Sequence, residues 1–434
     1  MIKQAGSQAP SSTNADCVTE FVPVEPASLA ATGLSASLVE SLVLKLLLTG
    51  NVLAGRQIAD KLRLPLAILV DMLRRLKTEQ IVVYKSSSGM NDYEYELTPL
   101  GFDRAQRLFQ HSTYHGPVPV PLDEYVASTA AQSPTKLAPK AADLRRALDG
   151  LLIDARLFGQ IGEAISSVGA LFLYGAPGNG KTSIAERLTS AFGPTIWIPY
   201  VLDVDGEIIQ LFDPIVHAEV PFQSQSQSPR PDQRWVHIRR PTIVAGGELT
   251  LENLEIGRRA ASGVVEAPLH LKSNCGTLVI DDFGRQRVST VDLLNRWIVP
   301  LEKRYDYLTT PAGRKIQVPF NQMIVFATNL EPRQLVDEAF LRRIPYKVEI
   351  LDPTEDEFRR LCRLSADTYA IDYCPEVIDH LIETHYRIAR RPFRFCHPRD
   401  LFLQVRNHCN FHERKLELTI EAIDAAVNNY FVGG

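Results

Sequence analysis

The 434-residue sequence predicts an α/β fold: a core with a parallel sheet, a helical C-terminal region and a small N-terminal domain. Three observations predict it. Residues 175–182 match the phosphate-loop pattern G-x-x-x-x-G-K-[ST], between a short apolar run and a helical pattern. Strand-like runs alternate with helical patterns from about 150 to 350, which is typical of a parallel sheet with helices on its faces. After about residue 351 the pattern is helical throughout.

The first 150 residues divide into three segments by composition and periodicity. Residues 1–36 are rich in Ser, Ala, Pro and Thr, and we predict a flexible tail there. Residues 37–115 contain three helical patterns followed by two alternating runs, which predicts a winged-helix-like domain. Residues 116–149 begin with Gly-Pro-Val-Pro-Val-Pro and are predicted to be a linker, with a flexible connection over 127–141.

The predicted core covers residues 150–350 and carries two insertions. Its strand-like runs lie at 170–174, 195–199, 277–280 and 323–327. A long insertion at about 200–270 contains a Gln/Ser tract at 223–228, and a β-hairpin is predicted over 305–320. Residues 351–434 are predicted to form a helical lid, which opens on the capping-box pattern Thr354-Glu-Asp-Glu357.

Composition excludes several classes of protein. A net charge of −4 gives no general attraction to nucleic acid or to an anionic membrane. No stretch reaches the roughly 18–20 uncharged apolar residues of a membrane span, and no secretory h-region follows the N-terminus. Six cysteines without a C-x-x-C pair fit reduced thiols. We therefore expect a cytoplasmic protein without membrane insertion.

The phosphate loop predicts binding of ATP and Mg²⁺. Its glycines let backbone N–H groups close around phosphate oxygens, since no Cβ stands in the way. Lys181 can reach the β- and γ-phosphates, and the Thr182 hydroxyl can be a ligand of Mg²⁺. The predicted nucleotide-binding residues are Gly175, Ala176, Pro177, Gly178, Asn179, Gly180, Lys181, Thr182 and Ser183.

Two later strand-like runs each end in polar side chains. Thr277-Leu-Val-Ile is followed by Asp281 and Asp282, and the run at 323–327 leads to Thr328 and Asn329. At the carboxyl edge of a sheet beside a phosphate loop, Asp281 can complete the Mg²⁺ shell and Asp282 can deprotonate the attacking water. The Asn329 amide can position that water against the γ-phosphate.

Three arginines follow these carboxylates along the chain. Arg342 and Arg343 come soon after the strand that leads to Asn329, an order that predicts a finger offered to the nucleotide of a neighbouring subunit. Arg399 stands in His397-Pro-Arg, at the predicted start of a lid helix with Pro in its first turn. A lid could place it over the phosphates.

The ordered set of phosphate loop, Asp-Asp strand, Asn-ended strand, paired arginines and lid arginine resembles an AAA+ ATPase, over residues 150–434. The resemblance implies a ring, usually a hexamer, with ATP bound between subunits. It implies that Gly175 to Thr182 form Walker A, and that Asp281 and Asp282 form Walker B. Asn329 would be sensor 1, and Arg399 would be sensor 2. Arg343, together with Arg342, would be the trans-acting finger.

Within that family two features narrow the resemblance. The second Walker B residue is Asp282 where most members have Glu, which implies slow hydrolysis, although the bacterial replication initiator also has Asp-Asp. The hairpin at 305–320 and the run Asp282-Phe-Gly-Arg285 resemble MoxR-type chaperones, and the hairpin also resembles enhancer-binding activators. The whole layout is similar to bacterial proteins described as predicted ATPases with chaperone activity, associated with Flp pilus assembly.

These observations predict an ATP-hydrolysing ring that remodels or assembles a protein client. Two alternatives stay open. One is a DNA-directed ATPase or transcription regulator that reads DNA with its winged helix. The other is a nucleotide-gated assembly switch with slow hydrolysis.

The N-terminal domain favours a protein partner over DNA. Its third helical pattern begins with Leu66-Ala-Ile-Leu-Val, whereas a DNA-reading helix needs polar or basic side chains over its first turns. The predicted wing carries Asp92, Glu94 and Glu96, which repel a phosphate backbone. Residues 37–111 hold ten Lys or Arg and eight Asp or Glu, far from the basic excess of a DNA binder. A third possibility is that this domain only packs on the ring and binds neither DNA nor a protein partner.

Overall fold

A computed structural model describes residues 21–89, 92–222, 230–258, 264–335 and 338–431. Residues 1–20 of the predicted tail and the Gln/Ser tract at 223–228 lie outside this part of the chain. No helix within it combines the length and the apolar character that crossing a bilayer requires.

The N-terminal unit consists of four helices and a three-stranded antiparallel sheet. Its elements are α1 Ala36–Gly50, β1 Val52–Ala54, α2 Gly55–Leu62, α3 Leu66–Thr78, β2 Val82–Gly89, β3 Asp92–Leu97 and α4 Pro99–His111. The Ser35 hydroxyl caps α1 by accepting a hydrogen bond from the Leu38 N–H. The buried Glu40 carboxylate on α1 forms ion pairs with Arg75 on α3 and Arg104 on α4. One buried acid therefore connects three helices.

Fourteen strands and thirteen α-helices make up the rest of the described chain. The strands are β4 Val120–Pro121, β5 Ala170–Tyr174, β6 Thr195–Pro199, β7 Val201–Val204, β8 Glu207–Gln210, β9 Trp235–Arg239, β10 Thr242–Ala245, β11 Gly257–Arg258, β12 Val265–Glu266, β13 Thr277–Ile280, β14 Tyr305–Thr309, β15 Lys315–Pro319, β16 Met323–Thr328 and β17 Tyr346–Glu349. The helices are α5 Leu122–Ala131, α6 Pro134–Leu137, α7 Ala141–Ala147, α8 Ala155–Ser167, α9 Lys181–Leu188, α10 Leu269–Lys272, α11 Thr290–Lys303, α12 Pro332–Leu335, α13 Glu338–Leu341, α14 Glu355–Tyr369, α15 Pro375–His380, α16 Cys396–Phe411 and α17 Ile420–Tyr430.

The core is a five-stranded parallel sheet in the order β10-β13-β16-β5-β17, with helices on both faces. Side chains alternate between the two faces, as the period of two requires. One face packs with α8 and α9 and presents Leu171, Leu173, Val279 and Val325. The other packs against α11 and presents Phe172, Leu278, Ile280, Ile324 and Phe326. The predicted α/β fold with a parallel sheet is confirmed.

The predicted place of one strand in this sheet is wrong. Residues 195–199 form β6, but β6 pairs antiparallel with β9 in a separate two-stranded sheet. The parallel sheet instead takes β10, which lies inside the predicted insertion at 200–270, and β17. A short apolar run predicts a buried strand but not its partner, since periodicity carries no information on pairing.

Four short strands of the 200–270 segment, β7, β8, β11 and β12, join β4 in a second sheet, in the order β11-β12-β8-β7-β4. β14 and β15 pair antiparallel as a hairpin that immediately precedes β16. Its base is charged and buried: Asp306 accepts two hydrogen bonds from the Arg296 guanidinium, both at 2.7 Å, and lies 3.0 Å from His270 Nε2. Burial raises the pKa of Asp306, but the hydrogen bonds and charges of His270 and Arg296 outweigh it and leave that pKa lowered.

The prediction of a flexible tail is wrong over residues 21–36. Val24 forms a bridge with Pro231, and the Phe21 ring lies 5.6 Å from that of Trp235. The fully buried Arg234 donates a hydrogen bond of 3.0 Å to the Thr32 carbonyl. A buried guanidinium must find acceptors, and this backbone supplies one. Composition could not reveal a partner two hundred residues away.

The prediction of a flexible connection within the linker at 116–149 is also wrong. The linker contains β4, α5, α6 and α7. The Tyr125 hydroxyl on α5 accepts a hydrogen bond of 3.0 Å from Asn274. The Gln132 side chain accepts a hydrogen bond of 2.7 Å from the Trp197 N–H and donates one of 2.9 Å to the Trp197 carbonyl. These buried polar contacts attach the segment to β6 and to the turn between α10 and β13.

The C-terminal region is a helical unit of α14, α15, α16 and α17, with a π-helical segment, Leu381–Ile388, directly after α15. Thr354 and Glu357 form the capping box at the start of α14. The unit has its own apolar core, to which α14 contributes Phe358 and α16 contributes Leu401 and Phe402. It therefore buries its helices independently of the parallel sheet.

Candidate nucleotide site

The phosphate loop lies between β5 and α9, as its sequence predicts. Gly175 and Gly178 have φ values of 139° and 82°, in the region that side chains other than glycine rarely adopt. A Cβ on Gly175 would lie 2.3 Å from the Ile350 carbonyl oxygen, and one on Gly178 would lie 2.5 Å from the Cys396 sulfur. The two glycines therefore let β17 and α16 approach the loop closely.

The Lys181 ammonium is held over this loop by three acceptors. Its Nζ donates to the carbonyls of Gly175 at 3.0 Å and Ala176 at 2.9 Å, and to Asn329 Oδ1 at 2.7 Å. Burial lowers the pKa of Lys181, and the carboxylates of Asp281 and Asp282 act in the opposite direction. The side chain is thus positioned before any phosphate binds.

The carboxyl ends of β13 and β16 bring the predicted polar side chains to the same edge. Thr182 Oγ1 donates to Asp281 Oδ2 at 2.9 Å, so the hydroxyl and the carboxylate expected to bind Mg²⁺ are in contact. A hydroxyl and a carboxylate oxygen are hard oxygen donors of the kind that Mg²⁺ takes, which means that these residues fit the ion.

Asn329 connects the second carboxylate to the loop. Its Oδ1 accepts from Lys181, and its Nδ2 donates to Asp282 Oδ1 at 3.4 Å. Asp282 is exposed and has a φ of 49°, in the left-handed region. Asp and Asn tolerate that region better than longer side chains. This backbone gives a physical reason for Asp at a position where the resemblance implies Glu.

The three predicted arginines lie apart from this cluster in a single chain. Arg343 Nε donates to Glu302 on α11 at 2.7 Å, and Arg342 is exposed. Arg399 is 69% exposed and binds Asp400 beside it, with Nε at 2.9 Å from Oδ1. The structure therefore brings together the loop, both carboxylates and Asn329, but not the arginines.

A different lid arginine, which the sequence analysis did not identify, is connected to the loop through Asp352. Arg394, just before α16, forms an ion pair with Asp352, which also accepts a hydrogen bond of 2.7 Å from Asn179 Nδ2. The charge of Arg394 lowers the pKa of Lys181, so the two cations lie close enough to interact. The Cys396 N–H donates to the Gly178 carbonyl at 3.0 Å. In the sequence, Arg394 is marked only by being an arginine five positions before Arg399.

Comparison with known proteins yields a partial family match. The family described as "Domain of unknown function (DUF8689)" matches residues 354–429, which is the helical C-terminal unit. No curated protein matches the chain.

Two solved structures are similar to the chain at low identity. One is the RuvB Holliday junction branch migration motor from Thermotoga maritima, at 14% identity and a TM-score of 0.40, covering 67% of this chain and 74% of that one. The other is NtrX from Brucella abortus in complex with ADP, at 13% identity and a TM-score of 0.41, covering 86% of this chain and 73% of that one. The fold assignment depends on the strand pairing described above, not on these likenesses.

Proposed function

We propose that this protein is a Mg²⁺-dependent ATPase of the AAA+ type that assembles into rings, with ATP between subunits, and remodels a protein client. The observation that carries the proposal is the contact network at the carboxyl edge of the parallel sheet. There Lys181, the Thr182–Asp281 pair and the Asn329–Asp282 pair converge.

Each residue of this network has a separate task. Phosphate oxygens would replace the carbonyl acceptors of Lys181, and the loop N–H groups would bind the remaining oxygens. Thr182 and Asp281 would hold the Mg²⁺ ion, which supplies charge neutralisation of the phosphates when bound. Asp282 would accept the proton of the attacking water while Asn329, in contact with both Lys181 and Asp282, orients it.

The proposal is tested by replacing the general base. Asp282→Asn is expected to keep ATP affinity while turnover falls about 10²-fold or more, the scale of a lost general base. Asn has nearly the shape of Asp and tolerates the left-handed backbone, so the loss reports the carboxylate rather than the fold. ATP hydrolysis and ATP titration are measured side by side. Asp367→Asn, the same change on an exposed position of α14, is the control.

Unchanged turnover in Asp282→Asn would mean that another residue activates the water. Undetectable ATP hydrolysis by the wild-type chain, together with tight ATP binding, would favour the assembly switch. Mass measurement with and without a slowly hydrolysed ATP analogue then shows whether nucleotide controls assembly.

The lid arginines give a second prediction, since Arg394 pairs with Asp352, which bonds Asn179 of the loop, whereas Arg399 binds Asp400. Arg394→Gln is expected to raise the Kd for ATP about tenfold, the loss of one charge-assisted interaction of about 1.4 kcal/mol. Arg399→Gln is expected to change it less in the isolated subunit. The two variants are compared by ATP titration at equal ionic strength. A larger loss in Arg399→Gln would show that α16 rearranges when nucleotide binds.

The N-terminal unit supports a protein client over DNA. Its α3 begins with apolar residues, and two of its three later cations have carboxylate partners: Arg74 lies 3.6 Å from Asp71, and Arg75 lies 2.6 Å from Glu40. On the hairpin of β2 and β3, Lys85 pairs with Glu96 at 2.8 Å. Each carboxylate reduces the positive potential that a DNA backbone would meet.

The same unit also packs on the rest of the chain. The Val118 N–H donates to the Leu62 carbonyl at 2.9 Å, and Val201 and Ile208 of the second sheet share its apolar core. Its binding is therefore tested in the full chain. We expect no sub-micromolar, salt-sensitive shift of duplex DNA at about 50 mM salt, where phosphate contacts are least screened. Such a shift, or ATP hydrolysis stimulated by DNA, would favour the DNA-directed alternative.

A further inference from the structure

Three metal-ligating side chains meet in the helical C-terminal unit, on elements that the nucleotide network does not use. His380 ends α15, His385 lies in the π-helical segment and Asp424 lies on α17. The Nε2 atoms of His380 and His385 lie 2.9 and 2.6 Å from the same Oδ1 of Asp424. In the described part of the chain, this is the one group of at least three such side chains whose ligand atoms lie within 4.8 Å of one another.

The π-helical segment is what aligns the two histidines. Residues five apart on an α-helix are separated by about 140° around its axis, so they face different directions. In a π-helix the hydrogen bonds run from i to i+5, which stacks such residues on one side. The segment Leu381–Ile388 carries this geometry where His380 and His385 turn toward α17. An ordinary α-helix would present only one imidazole to Asp424.

We propose that His380, His385 and Asp424 form a binding site for a divalent transition-metal ion of the Zn²⁺ class. Two imidazole nitrogens and one carboxylate oxygen are a ligand set for such ions, with the fourth tetrahedral position left to water. Bonds of about 2.0–2.1 Å place tetrahedral ligand atoms roughly 3.3 Å apart. The two Nε2–Oδ1 distances need to grow by less than about 1 Å to reach that spacing. All three ligand atoms already lie within 4.8 Å of one another.

The surroundings of the site allow an ion to enter and be held. The side chains of His380, His385 and Asp424 are 27%, 18% and 37% exposed, so the group opens to solvent on one side. Thr384 Oγ1 lies 3.4 Å from His380 Nδ1, a contact of the kind that fixes the orientation of a ligating imidazole. The Asp424 carboxylate supplies negative charge for a dication beside the two imidazole ligands.

Metal binding here would fasten α17 to the π-helical segment. The Tyr386 hydroxyl of that segment lies 2.9 Å from His397 Nδ1 on α16. The N–H of Cys396, the first residue of α16, donates to the Gly178 carbonyl of the phosphate loop. The proposal does not depend on ATP hydrolysis. Its expected effect is a higher thermal stability of the metal-bound chain, since a ligand that binds only the folded state stabilises it.

The test is titration of the full chain, freed of metal by a chelator, with Zn²⁺ in a calorimeter. We expect one equivalent to bind with sub-micromolar Kd, and Co²⁺ to give the visible absorption of a tetrahedral site. Asp424→Asn and His385→Gln should each weaken Zn²⁺ binding about 10²-fold and remove the Zn²⁺-dependent rise in melting temperature. The matched control is His408→Gln, because His408 and His412 form another imidazole pair in the C-terminal unit. The centroids of their two rings lie 4.5 Å apart.

Three outcomes would overturn the proposal. The first is that the wild-type chain shows no saturable binding at Zn²⁺ concentrations up to on the order of 100 µM. The binding free energy would then be too small for a preformed metal site. Asp424→Asn could bind as tightly as wild type, or His408→Gln could abolish binding. Absence of binding in the wild-type chain is decisive without any variant. Where the wild-type chain does bind, Asp424→Asn and His385→Gln are two separate variants that locate the site, so one that fails to fold leaves the other.

Discussion

Replacing Arg343 with Ala is expected to lower ATP turnover about 10³-fold or more while ATP affinity stays unchanged, the loss typical of a missing arginine finger. The physical reason is its position. In one chain its Nε donates to Glu302 on α11, away from the network around Lys181. In the proposed ring, Arg343 serves the nucleotide of a neighbouring subunit from this position.

Mixing variants tests that arrangement directly. Subunits with Arg343→Ala keep an intact pocket, and subunits with Lys181→Ala keep an intact finger, so mixtures should regain part of the activity that each lacks alone. Glu302→Gln is the matched control, because it removes the carboxylate that Arg343 contacts on α11 and leaves Arg343 itself unchanged. Arg342→Ala distinguishes the two adjacent arginines.

A monomer that hydrolyses ATP fully at nanomolar concentration would contradict both the finger and the ring. Failure of the mixtures to recover activity, with each variant folded and Arg343→Ala still binding ATP, would place the role of Arg343 within its own subunit. Turnover measured against subunit concentration separates these cases.

The nucleotide network was predictable from the sequence because its chemistry is local. The loop fixes Gly175 to Thr182 on a single strand–helix turn, and the Asp281 and Asn329 positions are carboxyl ends of apolar strands. Parallel neighbours end at the same edge, so residues about one hundred positions apart meet without further information. The contacts of Lys181 and Thr182 follow from that geometry.

The features that could not be predicted from the sequence depend on partners that are distant along the chain. β10 joins the parallel sheet through backbone pairing with β13, which no side-chain pattern of Thr242–Ala245 encodes. Residues 21–36 are ordered by the buried Arg234, and the role of Arg394 depends on an ion pair with Asp352. The His380–His385 alignment needs a π-helical turn, whereas periodicity assumes 3.6 residues per turn.

Lys181→Ala is expected to raise the Kd for ATP by about 10³-fold, which corresponds to two charge-assisted hydrogen bonds of about 2 kcal/mol each. The loss is specific, because the ammonium contacts loop carbonyls and the Asn329 amide oxygen rather than apolar core. Ala is also the best helix former, so the first turn of α9 should persist and the melting temperature should stay within a few degrees. ATP titration by calorimetry is compared with Lys61→Ala, an exposed lysine on α2. Near-normal ATP affinity in a folded Lys181→Ala chain would remove the phosphate-loop assignment, and with it the basis for an ATPase.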